Sequence, residues 1–341
     1  MRVLVTGASG LIGAHATADL LERGHAVRAF VRTPRKLEHA LALFSRKLSD
    51  VEIATGDVCD KESLETALVG CEGLLHCAGV FSPDLSDAER LRSINVTGTG
   101  AVLGAGSRAG LERMVFISSI LALFPPAGSV FEATGDVGQP RSMYAATKAA
   151  ADHVARSLQS VGAPLSIVYP AAVQGPDDPT FSTGPQLVAN ALREGRVLVT
   201  EGGLPYTDVR DLARVLSILF EIETPPRRLM GPSFFVSHAR YHELLCELTG
   251  RSLAARRIPG WLVRGLGRLG DLAQKLGRPV ELTSEAAAVL TRSVPVDDAE
   301  ARRLLGREAI GDEVSFRDLI VWMHGVGLLD AEQVGDLAGE G

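Results

Sequence analysis

The sequence predicts an α/β fold, a doubly wound parallel sheet with a smaller, mostly helical domain towards the C-terminus. Short apolar runs alternate with stretches of helical periodicity through the first half of the chain. This alternation implies right-handed crossovers and a parallel sheet with helices on both faces. After Pro170 the sequence pattern changes: Pro, Gly and Asp cluster in residues 174–179, and shorter amphipathic segments follow. The change indicates a second domain.

The elements follow in order from these patterns. Strands are predicted where β-rich apolar runs are nearly continuous, as in a sheet covered on both faces: residues 3–6, 27–31, 51–54, 73–76, 114–118 and 166–169. Helices are predicted at residues 11–23, 37–48, 61–68, 88–109, 143–160 and 208–222. We assign residues 1–169, with 207–236 returning, to the first domain, residues 170–206 and 237–335 to the second, and 336–341 to a loose acidic tail.

Composition narrows the function classes. The 341 residues are 46% hydrophobic and 22% charged, as in a typical soluble globular protein. The net charge is −6, so we expect no nucleic-acid partner. The four cysteines have no metal-ligand spacing, and we interpret them as reduced thiols in a cytoplasmic protein without a metal site. The chain starts directly with a predicted strand, which leaves no room for a signal peptide.

Three glycines after the first strand predict a Rossmann-type loop that holds a pyrophosphate. Gly7 permits the tight turn, Gly10 lets the backbone approach the anion, and Gly13 lets the first helix pack closely on the sheet. The N-terminus of that helix offers free N–H groups. The other residues expected to contact the dinucleotide here are Thr6, Ser9, Leu11 and Ile12. The spacing is GxxGxxG, and the alternative is a glycine-rich turn without a ligand.

The end of the second strand favours NADP over NAD. An acidic residue at this position usually holds the ribose 2′-hydroxyl of NAD, whereas an arginine suits a 2′-phosphate. Here the strand runs into Arg32, Arg35 and Lys36, with no acid. NAD remains the alternative cofactor, and a solvated charge run is the alternative interpretation of the three cations.

Tyr144 and Lys148 form a candidate proton-transfer pair. Ser142 is placed to cap a helix in which the two side chains stand at i and i+4 on one face. The neighbouring ammonium is expected to lower the pKa of the phenol, so that it can exchange a proton with a carbonyl oxygen. Lys148 can also bind ribose hydroxyls. Alone, the YxxxK pattern is common in helices without catalytic function.

Ser118 and Ser119 end the fifth strand, at the carboxyl edge where ligands bind in open α/β sheets. A hydroxyl at this edge can hold a substrate oxygen. Without the tyrosine and the lysine, the pair would be interpreted as the start of a turn.

Taken together, these strings resemble the extended short-chain dehydrogenases/reductases of the NAD-dependent epimerase/dehydratase superfamily, and most of all the dihydroflavonol-4-reductase-like and 3β-hydroxysteroid-dehydrogenase-like branch. The matching strings are TGASGLIG (6–13), FVRTP (30–34), GDV (56–58), LHCA (75–78), INVTGT (94–99), FISS (116–119), YAATK (144–148), YP (169–170) with GP (175–176), and YTDVRDLA (206–213). They stand in the family's order.

The resemblance implies a role for each matching residue. Tyr144 is the acid/base, Lys148 its pKa tuner and ribose ligand, and Ser119 orients the carbonyl, with Ser118 as the fallback. Asn95 corresponds to a structural or proton-relay asparagine, and His76 to a structural histidine. The implied cofactor contacts elsewhere are Asp57 and Val58 at the adenine, Cys77, Ala78 and Gly79 at the middle of the cofactor, and Tyr169, Pro170 and Val173 beside the nicotinamide. The family also implies a homodimer through the helices that contain Asn95 and Tyr144.

These observations favour an NADP(H)-dependent oxidoreductase acting on a ketone or secondary alcohol as its small-molecule substrate. The pocket is expected to be apolar or aromatic, since it would receive Phe81, Leu121, Phe124, Val173 and Phe181. Many nucleotide-sugar members follow the serine with Val-Tyr-Gly, whereas Ser119 is followed by ILALFPP. The alternatives are a nucleotide-sugar epimerase or dehydratase with retained NAD, and a non-catalytic nucleotide sensor.

An apolar stretch in the second domain, WLVRGL at residues 261–266, is too short to span a bilayer and is interrupted by Arg264. We therefore expect no membrane partner. The stretch is predicted to be a helix packed over the substrate pocket or against a partner.

Overall fold

The computed structural model describes residues 1–82, 84–275, 280 and 282–340. Its strands are β1 (Arg2–Thr6), β2 (Ala26–Val31), β3 (Glu52–Thr55), β4 (Gly73–His76), β5 (Arg113–Ile117), β6 (Leu165–Tyr169), β7 (Ala172–Gln174), β8 (Arg196–Val199), β9 (Gly203–Asp208), β10 (Arg228–Met230), β11 (Phe234–Ser237) and β12 (Ala254–Arg257). Seven of them form one parallel sheet in the order β10-β6-β5-β4-β1-β2-β3. The predicted doubly wound parallel sheet is confirmed.

The α-helices are α1 (Leu11–Glu22), α2 (Pro34–Ala42), α3 (Lys61–Leu68), α4 (Ala88–Arg92), α5 (Thr99–Arg108), α6 (Met143–Ser160), α7 (Thr183–Glu194), α8 (Val209–Ile218), α9 (His238–Thr249), α10 (Gly260–Lys275), α11 (Ser284–Thr291), α12 (Ala299–Leu305), α13 (Asp312–Gly325) and α14 (Ala331–Val334). Capping residues and a proline fix the N-termini of several helices. The Asp60 carboxylate accepts from the N–H of Glu62 at α3, and Asp208 accepts from Arg210 at α8. Pro34 opens α2, where its fixed φ suits the first turn.

The central strand β1 lies between β2 and β4, with Thr6 opposite Phe30 on one side and His76 on the other. The order of strands along the chain reverses between β1 and β4. In open α/β sheets the crevice at such a reversal, beyond the carboxyl ends of the strands, is where ligands bind. A ligand site is therefore expected at the carboxyl end of β1.

Apolar side chains form two cores on the parallel sheet and a third core in the C-terminal part of the chain. Val5 and Leu75 belong to the first sheet core, and Phe116 and Tyr169 to the second. The third is built around Phe316, with residues from α7, α9 and α13. Burial of such side chains contributes roughly 1.5–3 kcal/mol each, so each core can hold its own part of the chain together.

The C-terminal part contains more strand than the expected mostly helical domain. β7, β9 and β11 form a three-stranded sheet, and β8 pairs with β12 in parallel. The seventh strand of the main sheet, β10, was not predicted either, because three residues give too short a pattern to identify. α12 packs against α8 and β10, so a segment assigned to the second domain returns to the first.

The predicted helix at 88–109 is divided. A π-helical turn, Ser93–Gly98, separates α4 from α5 and carries Asn95. Such turns are frequent at functional sites. The helix predicted at 37–48 is shifted, because it begins at Pro34 and ends at Ala42.

The prediction of a loose tail from residue 336 is wrong for the residues described. Residues Gly335–Gly339 form a short 3-10 helix, and Leu337 is buried in the third core. The Glu340 carboxylate also pairs with Arg317. Gly341 lies outside the described residues. Among the helices of the described chain, none is long and apolar enough to cross a membrane.

Candidate active site

A cavity of about 730 Å³ opens at the carboxyl ends of β1, β4 and β5. The glycine loop forms one wall, α6 contributes Tyr144 and Lys148, and β7, α7 and β9 contribute the wall opposite. The site residues predicted from the sequence that line it are Gly7, Gly10, Leu11, Ile12, Gly13, Cys77, Gly79, Ser118, Ser119, Tyr144, Lys148, Pro170 and Val173. The predicted pocket residues Phe81, Leu121, Phe124 and Phe181 line it too.

The glycine loop is built as its spacing predicts. Gly7 has φ +72°, and a Cβ there would lie 2.7 Å from the Ala78 nitrogen. A Cβ at Gly13 would overlap the carbonyl oxygen of Gly7. At Gly10 the nearest atom to a Cβ would be that same oxygen at 3.5 Å, so a side chain there would project into the cavity. The loop therefore leaves an open cradle at the N-terminus of α1, which fits an anionic phosphate group.

The loop rests on a buried chain of hydrogen bonds. The Thr6 hydroxyl lies 2.7 Å from His76 Nδ1 and accepts from the N–H of Ala78 at 3.3 Å. His76 Nε2 lies 3.0 Å from the Thr99 hydroxyl. Burial lowers the pKa of His76 to about 3, so the ring is neutral. Thr6 and His76 thus support the loop from below, and the structural interpretation of His76 agrees with these contacts.

The two serines at the end of β5 have different partners. The Ser118 hydroxyl donates to the Asp152 carboxylate at 3.0 Å, inside the protein. The Ser119 hydroxyl caps a 3-10 turn by accepting from the Leu121 N–H at 3.2 Å. That bond leaves the Ser119 hydroxyl hydrogen free to donate into the cavity. Ser119 is therefore the better candidate for binding a substrate oxygen.

Tyr144 lies on the first turn of α6 and faces the cavity. Its ring makes an edge-to-face contact with Phe81, with the ring centroids 4.9 Å apart. Burial raises the pKa of the phenol to about 12, instead of the lowered pKa that we expected from Lys148. The expectation was wrong because the apolar surroundings disfavour the phenolate. Ser142 occupies the N-cap position of α6 without a capping side-chain bond, and its N–H donates to Glu285 instead.

The Lys148 ammonium is held beneath the cavity. Its Nζ donates to the carbonyl of Ile117 at 3.1 Å and lies 5.7 Å from the centroid of the Phe116 ring. Burial lowers the pKa of Lys148 to about 8, and the nearby Asp152 carboxylate opposes that shift. A buried ammonium with one protein acceptor still has donors for a ligand.

Asn95 does not line the cavity, but it binds the backbone of Val80, which does. The side-chain amide accepts from the Val80 N–H at 2.8 Å and donates to the Val80 carbonyl at 2.9 Å. It also donates to the Thr147 hydroxyl at 3.1 Å. Asn95 therefore ties the loop after β4 to α6, the helix that carries Tyr144 and Lys148.

The residues predicted for the adenosine end lie beyond the cavity. Arg32 follows β2 directly, and its guanidinium lies 3.8 Å from the Asp57 carboxylate. Arg35 and Lys36 are exposed on α2. Val58 packs against Gly98 and does not line the cavity. Ser9 and Ala78 lie in or beside the glycine loop, and they do not line the cavity either. The structure brings Arg32 and Asp57 together beyond the carboxyl ends of β2 and β3.

Tyr169 is not a cavity residue, contrary to the prediction. Its ring is fully buried in the second core, and its hydroxyl donates to Asp152 at 3.2 Å and accepts from Arg156 at 3.0 Å. It is the last residue of β6, and its hydroxyl is held by Asp152 and Arg156 of α6. The following residue, Pro170, does line the cavity.

Sequence reasoning missed a polar patch formed by Gln174, Tyr206 and Tyr241. All three line the cavity, and the two rings contact Phe316 edge-on, with centroids 5.3 and 5.5 Å away. Neither phenol hydroxyl has a hydrogen-bond partner among the described residues. The buried Gln174 donates to Ser315 at 3.4 Å, but its Oε1 has no such partner. Tyr206 opens one of the strings that match the family and Gln174 precedes another, but neither string indicates that these side chains meet Tyr241 in the cavity.

Cys77 lines the cavity, but its thiol is not a candidate nucleophile. Burial raises the pKa of the Cys77 thiol to about 12, so it stays protonated and unreactive. Within the described part of the chain, no group of three or more His, Cys, Asp and Glu side chains is placed to hold a metal ion.

The sequence is also similar to those of known proteins. A family model described as "NAD dependent epimerase/dehydratase family" matches residues 3–228. "Sterol demethylase protein B" of Methylococcus capsulatus is 29% identical over 96% of this chain and 100% of its own. A farnesyl-dihydroquinoline-oxide ketoreductase of Stigmatella aurantiaca is 32% identical over 90% of this chain and 91% of its own. A "3 beta-hydroxysteroid dehydrogenase/Delta 5-->4-isomerase" of Mycobacterium tuberculosis is 28% identical, covering 91% and 86%.

Solved structures share the fold. The crystal structure of gox2253 superposes with a TM-score of 0.81 at 24% identity, covering 96% of this chain and 99% of that one. UDP-glucuronic acid 4-epimerase from Bacillus cereus, in complex with NAD, superposes with a TM-score of 0.74 at 17% identity, covering 98% and 99%.

Proposed function

The chain belongs to the NAD-dependent epimerase/dehydratase family and is an oxidoreductase of the extended short-chain dehydrogenase/reductase type, and on that premise we propose that it transfers hydride between NADP(H) and a ketone or secondary alcohol with an apolar or aromatic body. One observation carries the proposal. Ser119, Tyr144 and Lys148 line the same cavity as the open glycine cradle, and the remaining walls are largely apolar.

Each member of the triad has a distinct task. When bound, the nicotinamide supplies or accepts the hydride. The Ser119 hydroxyl donates to the carbonyl oxygen and fixes its orientation. The Tyr144 phenol, protonated because of its raised pKa, gives its proton to that oxygen as the new C–H bond forms, and takes it back in the reverse direction. The Lys148 ammonium binds ribose hydroxyls and stabilises the phenolate that remains.

The cavity favours an apolar substrate body. Leu121 and Phe124 come from one turn, Phe81 and Phe181 from two other loops, and all four side chains meet on its walls. Such walls exclude water from the carbonyl, which strengthens each electrostatic interaction at the reacting atoms. A nucleotide sugar would have to leave several hydroxyls and phosphates without partners against these side chains, and that would cost binding energy.

Arg32 supports the choice of NADP. Its side chain is 63% exposed and stands at the end of β2, where a 2′-phosphate would lie. No acidic side chain follows β2 directly to hold a free 2′-hydroxyl, and Asp57 reaches this region only from the end of β3.

The test is turnover by Tyr144→Phe beside the unaltered enzyme. NADPH oxidation with a panel of apolar ketones should fall about 10²–10⁴-fold, because one general acid contributes that much. NADPH binding, measured by the fluorescence of the reduced nicotinamide, should be retained. Undiminished turnover would remove Tyr144 from its role. NAD that co-purifies and is retained through turnover of a UDP-sugar would replace the proposal with epimerisation.

A further inference from the structure

Helix α10 presents a continuous apolar face to solvent. Trp261 is 68% exposed, Leu269 63% and Leu272 56%, and Leu262 and Leu266 are exposed as well. At 100° per residue these five side chains occupy one arc of the helix. The predicted helix is confirmed, but none of its described residues lines the cavity, so of the two expected positions the one over the pocket is not observed and packing against a partner stays a prediction.

The covered side of α10 is fixed to the protein. Val263 is buried, and a Cβ at Gly267 would lie 2.8 Å from the Cβ of Ala287 on α11. A Cβ at Gly270 would overlap the carbonyl of Leu282. These two glycines let α10 lie directly on α11. The helix is thus held with its apolar arc outward.

Positive charge lies along one edge of this arc and just before the helix, where the Glu201 carboxylate is the acid nearest to Arg264. Residues 251–275 contain five arginines and one lysine against a single acid, Asp271, in a chain of net charge −6. Arg264 and Arg268 stand one turn apart beside the arc, and the exposed Arg256 and Arg257 precede the helix on β12. None of these four arginines forms an ion pair with a described residue. Their charges are available to an outside partner.

The surface lies next to the cavity. α11, on which α10 packs, leads directly into the cavity wall through Val289, Arg292 and Val294. One helix therefore separates the exposed apolar arc from the proposed substrate site.

We propose, in place of the expectation that there is no membrane partner, that α10 docks the protein on the surface of an anionic lipid bilayer without spanning it, with the apolar arc in the interface and Arg256, Arg257, Arg264 and Arg268 against the headgroups. An exposed amphipathic helix with Trp and Leu on one side and arginines beside them is the pattern of interfacial binding. A second copy of the chain fits less well, because a two-fold contact through this face would bring the arginines of both copies together, and in each copy the four arginines outnumber the two acids near α10, Glu201 and Asp271. The proposal goes beyond the proposed function and requires no turnover.

The test is co-sedimentation of the full chain with vesicles. Phosphatidylcholine vesicles containing phosphatidylglycerol should retain the protein, vesicles of phosphatidylcholine alone should retain much less, and added salt should release it. In a Trp322→Phe background, which leaves Trp261 as the sole tryptophan, the emission should shift to shorter wavelength on binding. Trp322 lies partly buried in the third core, so its removal spares the surface.

Paired variants make the test specific. Leu266→Gln with Leu269→Gln, and separately Arg264→Gln with Arg268→Gln, should each lower binding about tenfold or more. Val69→Gln with Val161→Gln removes apolar side chains that are 71% and 79% exposed elsewhere, and binding should not change. Absence of vesicle binding overturns the proposal. A dimer in light scattering that dissociates in the leucine variant without any lipid binding also overturns it, in favour of a second copy.

Discussion

The hydroxyl of Ser118 donates to the carboxylate of Asp152 across 3.0 Å, while its neighbour Ser119 faces the cavity. Asp152 is fully buried and also accepts from Arg156 at 2.7 Å and from the Tyr169 hydroxyl at 3.2 Å. It lies one helical turn beyond Lys148. A single carboxylate thus joins the ends of β5 and β6 to the catalytic helix, and the two adjacent serines have separate jobs.

Replacing each serine separately should therefore give opposite phenotypes. Ser119→Ala should lower kcat/KM about 10²–10³-fold, the usual cost of one donor to a reacting oxygen, and should lower the free energy of unfolding only by the loss of its cap on the Leu121 N–H, about 0.5–2 kcal/mol. Ser118→Ala should lower the free energy of unfolding by about 1–3 kcal/mol, because the carboxylate loses a partner, with a smaller effect on kcat. Steady-state kinetics and thermal melts of both variants measure this. The reverse pattern would assign the substrate oxygen to Ser118.

The lowered pKa of Lys148 predicts an alkaline loss of activity. Above about pH 8 the ammonium loses its proton, so kcat/KM for ketone reduction should decline there. Lys148→Arg keeps its charge and should remove that decline, although its maximum is lower. A profile for the unaltered enzyme that stays flat to about pH 10, near the pKa of an ordinary lysine, would contradict the role.

The lowered pKa of Lys148 also predicts a change in stability, and with rising pH this change is an increase, whereas activity declines. Between about pH 8 and 10.5 the unfolded chain holds the Lys148 proton and the folded chain does not, so the contribution of this group to the free energy of unfolding rises with pH. The difference in unfolding free energy between the unaltered enzyme and Lys148→Met, followed by urea denaturation across this range, isolates the effect. A difference independent of pH would mean that Lys148 titrates normally.

Arg32 should decide the cofactor. Arg32→Glu should raise the KM for NADPH tenfold or more, since an arginine–phosphate contact is replaced by repulsion, and should leave the KM for NADH nearly unchanged. Arg35→Gln with Lys36→Gln on α2 is the matched control and should have a smaller effect. Initial rates with both cofactors test this. A clear preference of the unaltered enzyme for NADH would refute the assignment.

The unpartnered phenols predict a second polar contact with the substrate. Tyr206→Phe and Tyr241→Phe should each raise KM about fivefold or more for substrates with a second oxygen, with kcat nearly unchanged, because this binding is equal in the ground and transition states. Stability should not fall, since neither hydroxyl has a described partner. Tyr169→Phe is the contrast, expected to lower Tm without changing KM. Unchanged KM in both cavity variants would exclude the contact.

Much of this arrangement could be predicted from local sequence. The glycine spacing fixes the loop because only a residue without Cβ fits at Gly7 and Gly13, and the helix period places Tyr144 above Lys148. The polar patch could not be predicted, since Gln174, Tyr206 and Tyr241 meet only through the second domain. The direction of Tyr169 was equally hidden, because both faces of β6 are buried and periodicity cannot choose between them.

Electrostatic expectations failed for a related reason. The spacing of Tyr144 and Lys148 is visible in the sequence, but the side chains that surround the phenol are not. Phe81 comes from a loop more than sixty residues upstream, and burial among such groups outweighs the charge one turn away. Proximity along a helix therefore predicts which groups meet, and the rest of the fold sets the pKa values.

The buried chain from Thr6 through His76 to Thr99 has a consequence for affinity. It spans β1, β4 and α5 and holds the N–H of Ala78 against the glycine turn, so hydrogen bonds of the protein itself fix the shape of the cradle. A preorganised loop loses little conformational entropy on association, and more of the contact energy appears as binding. Because the neutral ring of His76 does not titrate near neutrality, this rigidity is the same throughout the physiological pH range.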